Sequence, residues 1–153
     1  MSPQSTLSTV LSAYRQRLSY ELIDCDSSTA ELVCGYLAGA QRLEASGALA
    51  SDGSHPPLAP LVILVPDEKR AGELVTRIAG LSGAQVLHFP AEPHLPYDEI
   101  AYDIVASMQR MSIAAHLAEQ QPFEVLVVSL PALMGLLMSP TELQNRAELV
   151  MRG

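Results

Sequence analysis

The sequence predicts a three-layer α/β/α fold on a mostly parallel sheet. Leu61–Val65 and Val125–Val128 are unbroken runs of aliphatic residues, the pattern of strands covered on both faces in a parallel sheet. Stretches with apolar residues at helical spacing separate these runs and a third strand candidate, Val86–Phe89. Alternating strands and helices imply right-handed crossovers and helices on both sides of the sheet.

Taken in order, Leu7, Val10, Leu11, Tyr14 and Leu18 give an amphipathic helix over residues 1–18. The α/β unit proper is expected over 19–148. Tyr20–Asp24 is a short strand candidate. Ser28 and Glu31 form a capping-box pattern that opens a helix with Val33, Tyr36, Leu37 and Ala40 on one face. The stretch 46–60 contains prolines and glycines with no apolar period and reads as a flexible surface loop. Leu61–Val65 ends at Pro66-Asp67, and Ala71, Leu74, Val75, Ile78 and Leu81 mark the next helix. After Val86–Phe89 comes a proline-rich run to Asp98 that continues neither element. A long helix is expected over Ile104–Gln120, with Ile104, Met108, Met111 and Ala115 facing inward. Val125–Val128 is followed by a short helix over Pro131–Leu137 and a turn or brief helix over Pro140–Asn145. Leu149 to Gly153 reads as the opening of a further strand leading into a next domain.

Composition narrows the function classes. The 153 residues are 48% apolar and only 5% aromatic, without tryptophan, so the core is aliphatic. Seventeen acidic against nine basic residues give a net charge of −8, and no lysine or arginine occurs between Arg77 and Arg110. A phosphate-backbone binder needs clustered cations, so direct nucleic-acid binding is not expected. Cys25 and Cys34 lack the paired spacing of a zinc site and suit a reducing compartment. The amino terminus lacks a signal-peptide layout, and no apolar run approaches the roughly 20 residues of a membrane span. A cytoplasmic location is expected, with no membrane partner.

The nucleotide chemistry of such folds is not evident. A phosphate loop needs G-x-x-x-x-G-K-[ST]: amides to cradle the phosphates, a lysine to reach them and a hydroxyl for magnesium. The single lysine, Lys69, lies in Pro66-Asp67-Glu68-Lys69-Arg70 with no glycine-rich turn before it. The first strand-to-helix turn reads Asp24, Cys25, Asp26, Ser27, Ser28, Thr29, placing two carboxylates where a phosphate would sit. Ser27, Ser28 and Thr29 are read as helix-cap residues, since no G-x-S-x-G elbow occurs.

His88, His94 and Asp98 lie near the end of the third strand candidate, where open α/β sheets bind ligands. They support an alternative function, a stand-alone metal-dependent hydrolase using the His88–Asp98 loop. Neither an H-x-x-x-H helix nor any other arrangement forces these ligands together, so no metal and no catalytic residue is assigned. Glu92, Asp98, Glu99 and Asp103 are read as solvated, and the six methionines as core filler. Tyr97 and Tyr102 are either exposed contacts or lids over the sheet edge.

Leu95-Pro96-Tyr97-Asp98, the downstream Arg110, and Glu124 to Met134 together resemble the N-terminal module of bacterial transcription-repair coupling factors. They are similar, more distantly, to the first domain of the excision-repair helicase UvrB. The first strand-turn-helix and Val62–Asp67 line up in order, so the likeness covers about residues 15–153. It implies a degenerate P-loop, helicase-like fold whose phosphate site has decayed at Asp24–Thr29. UvrB carries a DNA-gripping aromatic hairpin between the third strand and the arginine; here only the acidic, proline-rich Pro90–Gln109 fills that interval. The full-length family displaces stalled RNA polymerase using ATP and magnesium and recruits UvrA for nucleotide excision repair. Those tasks, and the contacts with RNA polymerase, DNA and UvrA, map to other domains. The resemblance therefore implies a non-catalytic scaffold here, without a cofactor of its own.

Overall fold

The computed structural model describes residues 3–17, 26–48, 58–91, 104–135 and 139–143. Among these, the elements run α1 (Pro3–Arg15), α2 (Ser27–Ala45), β1 (Leu61–Val65), α3 (Glu68–Ser82), β2 (Val86–Phe89), α4 (Ile104–Ala118), β3 (Val125–Ser129) and α5 (Leu130–Met134), and residues 140–143 form a further helical turn. The strands form a wholly parallel sheet in the order β1-β3-β2, with Leu61 and Val86 both opposite Val125. The expected strands at Tyr20–Asp24 and 149–153, and most of the 46–60 loop, lie outside the described residues.

The strand order explains the layers. The path from β1 to β2 skips one position, and the path from β2 to β3 steps back. With right-handed crossovers, a reversal of direction puts the two connecting helices on opposite faces. One face carries Leu61, Val65, Val125 and Val127, which pack with Ala71, Leu74 and Ile78 of α3, then with Leu37 and Ala38 of α2 and Val10 of α1. The other carries Phe89, Leu126 and Val128, against Ile113, Ala114 and Leu117 of α4 and Ala132 of α5. A mixed α/β fold with parallel strands is therefore present.

Several local expectations are corrected. The N-cap of α2 is Asp26, whose carboxylate accepts from Thr29 N at 2.7 Å, rather than Ser28. Glu31 makes no capping box; it is buried and paired with α3. Two cations opposite the second turn of α2 outcompete a backbone amide at its start. Leu37 and Ala40 are buried as expected, whereas Tyr36 is exposed.

Among the described residues, β1 is not covered on both faces. It lies at an edge of the described sheet, and Val62 and Leu64 are 59% and 56% exposed on the face that α4 covers only beside β2 and β3. The expected inner face of α4 is also rotated. Ile104, Met108 and Met111 point outward, and Arg110, Ile113, Ala114 and Leu117 make the inward stripe. α4 ends at Ala118 and α5 spans five residues, each somewhat shorter than its apolar run suggests.

α2 and α3 meet at Gly35, where an added Cβ would lie 3.2 Å from Leu81 Cδ1. α3 stops at Gly83, its C-cap, with φ +61°, a left-handed conformation that costs a side chain about 1 kcal/mol or more. No helix among the described residues is long and apolar enough to cross a membrane.

Candidate functional site

The carboxyl ends of all three strands converge beside the start of α3, the place where parallel α/β sheets present chemistry. Asp67 caps α3 by accepting from Arg70 N at 2.8 Å, which leaves Glu68 in the first helical turn pointing at the sheet. Ser129, wholly buried at the end of β3, donates through Oγ to Glu68 Oε2 at 2.6 Å. The same hydroxyl accepts from Ala132 N at 3.3 Å and so caps α5. Ala91 N, just beyond β2, donates to Glu68 Oε2 at 3.1 Å. His88 Nε2 stands 2.8 Å from Glu68 Oε1 but out of line for a hydrogen bond.

Arg110 approaches the same strand exit from the other face. Its guanidinium lies 4.5 Å from the centre of the Phe89 ring and donates through Nη1 to Pro90 O at 2.6 Å. A longer bond of 3.4 Å reaches Ala132 O. Arg110 is 4% exposed, and a Cβ placed on Gly135 would come within 2.9 Å of its Nη2, so the glycine makes room for it. Opposite charges thus hold consecutive backbone groups, the Pro90 carbonyl and the Ala91 amide. Pro90 and Ala91 are thereby held in place at the end of β2.

Sequence reasoning singled out Arg110 and His88 and missed Glu68 and Ser129. A carboxylate at a helix start after Pro-Asp looks like a favourable dipole partner, and nothing local says that it reaches two strands. Of the other candidates, Asp26, Ser27, Ser28 and Thr29 form the opening of α2, with the Asp26 carboxylate turned onto the helix's own amides. That hydrogen bonding holds the Asp26 carboxyl below its ordinary range. Asp24, Cys25, Leu95, Pro96, Tyr97 and Asp98 lie outside the described residues, as does His94. Among the described residues no group of three or more His, Cys, Asp or Glu side chains is placed to hold a metal.

A second polar cluster ties α2 to α3. Glu31, buried, meets Arg70 Nη2 at 2.5 Å and Arg77 Nη1 at 2.6 Å. Its carboxyl is held below the usual range, first by the Arg77 hydrogen bond and then by Arg70, against burial, which pushes it up.

Half of the chain is related to a repair protein. A transcription-repair-coupling factor of Myxococcus xanthus is 37% identical over 82 residues, 49% of this chain and 7% of that protein. No family model matches the chain. The chain spans a small part of that relative's length, so the shared region is a segment and the whole relative's activity is not thereby transferred.

Proposed function

We propose that this chain serves as a non-catalytic scaffold in the N-terminal part of a cytoplasmic transcription-repair coupling factor. The observation that carries the reading is the 37% identity to such a factor over half of the chain. In this reading the fold is a UvrB-like, helicase-derived α/β unit whose phosphate site has decayed. It anchors an adjoining domain that recruits UvrA, while RNA polymerase, DNA, ATP and magnesium are engaged by other domains.

The chemistry of the described residues supports the decayed site. At the start of α2 the Asp26 carboxylate already accepts from Thr29 N, so an entering phosphate would meet a fixed negative charge instead of open amides. Lys69 is exposed on the first turn of α3, on a different element. These residues do not fit a triphosphate, and no step through ATP is assigned to them. Val62 and Leu64, two positions apart on the same face of β1, are exposed, which agrees with packing against a further domain.

The test is strand-specific repair in the organism that encodes the chain. Deleting the codons for residues 58–135 is expected to abolish the faster repair of transcribed strands after ultraviolet irradiation and to leave repair of non-transcribed strands intact. Unchanged strand bias would contradict the proposal.

A further inference from the structure

The outer side of α2 carries an exposed apolar seam. Leu32, Tyr36, Gly39 and Leu43 follow one another at spacings of four, three and four residues, so they share one side of the helix. Leu32 and Leu43 are 59% and 49% exposed and Tyr36 is exposed as well, whereas the other side of α2 buries Leu37, Ala38 and Gln41. Leu81 of α3, also exposed, flanks the seam beside Gly35 and widens it. No charged residue occupies a seam position. Single exposed leucines are ordinary, but an apolar strip opposite the side of a helix already in the core marks an interface.

The seam is complementary to itself. Its spacing reads the same from both ends, about a midpoint between Leu37 and Ala38. Two copies of α2 laid antiparallel across a two-fold axis at that point set Leu32 against Leu43 of the second copy and Tyr36 against Gly39 of the second copy. Leucine thus meets leucine, and the bulkiest seam residue meets the one without a side chain. At Gly39 an added Cβ would find only Ser82 Cβ, at 3.8 Å, an ordinary contact. No packing within the chain requires the glycine, and the notch it leaves is open to an aromatic ring. Antiparallel helices also place the positive end of each beside the negative end of the other.

We propose that the outer face of α2 docks against α2 of a second copy of this chain, antiparallel, with Tyr36 of each copy seated on Gly39 of the other. The seam is two heptads long and so covers less than the roughly 1,200 Å² of a standard interface. Each copy also carries a net charge of −8, which opposes association at low salt. The dimer is therefore weak and concentration-dependent. It goes beyond the scaffold reading and does not rest on it, because it uses none of the residues that support that reading.

The experiment is analytical ultracentrifugation of the whole chain from about 10 μM to about 1 mM, the range in which a small interface assembles. The average mass is expected to rise from monomer toward dimer. Tyr36→Ala, at an exposed position, is expected to weaken association roughly tenfold or more, the effect of losing an aromatic anchor twice over. Gly39→Ala is expected to raise Tm, because alanine suits a helix interior better, and yet to weaken the dimer by filling the notch. Leu32→Glu and Leu43→Lys are each expected to associate less than the wild type. A mixture of those two variants is expected to pair more tightly than either alone, since only the mixed dimer sets Glu against Lys. A monomer at every concentration, undiminished association of Tyr36→Ala or Gly39→Ala, or no preference for the mixed pair would overturn the proposal.

Discussion

Glu68 and Arg110 grip successive backbone groups of one strand exit from opposite faces of the sheet: Glu68 takes the Ala91 amide and Arg110 the Pro90 carbonyl. The two residues come from different crossover helices, so their meeting depends on the strand order and on no local motif. Replacing Arg110 by Lys keeps the charge but loses the planar fork and the stacking on Phe89. A loss of about 2–3 kcal/mol is expected in urea denaturation. A loss below half of that would mean that the grip on Pro90 is not important to stability.

Ser129 serves two partners with one hydroxyl, donating to Glu68 and capping α5. Ser129→Ala is expected to cost about 2–4 kcal/mol, the sum of a cap and a buried hydrogen bond to a charged group. In the Glu68→Ala background the same change should cost clearly less, because one of the two partners is already gone. Additive losses in that double-mutant cycle would show that the two side chains do not act together.

The fold class was legible because its signal is redundant: two aliphatic runs, a third strand candidate and helical spacing between them all point to a parallel sheet. Finer features were legible only where the chain is amphipathic. α3 has one apolar stripe, and Ala71, Leu74 and Ile78 are buried as their spacing predicts. α4 is apolar on nearly every side, so periodicity alone selects no face, and the buried residue that fixes its rotation is the one charged residue, Arg110. Glu31 shows the same limit. Its spacing from Ser28 fits a capping box, but two arginines brought alongside by α3 claim the carboxylate. Contacts of this kind are set by tertiary geometry and leave no local mark.

The Glu31 cluster predicts a pH dependence. Its carboxyl is lower in the folded chain than in the unfolded one, so its contribution is fully present above the unfolded value of about 4.3 and is lost as pH falls through the lower folded value. In denaturant melts from pH 7 to pH 2, the wild type is expected to exceed Glu31→Gln by a constant margin above about pH 5.5 and to lose that margin in the acid range. A margin that grew on acidification would reverse the sign and refute the assignment.

Gly83 closes α3 at φ +61°, beside Nη1 of Arg42, which an added Cβ would approach to 3.2 Å. The flexible end of Arg42 can move aside, so backbone strain dominates. Gly83→Ala is expected to cost about 1 kcal/mol, seen as a lower Tm. An unchanged Tm would mean that the helix ends in another way.

Calorimetric titration of ATP with magnesium into the chain tests the decayed phosphate site most directly. No saturable heat is expected up to about millimolar nucleotide, because the Asp26 carboxylate already accepts from Thr29 N where a phosphate would bind. A micromolar, stoichiometric site that required magnesium would contradict it.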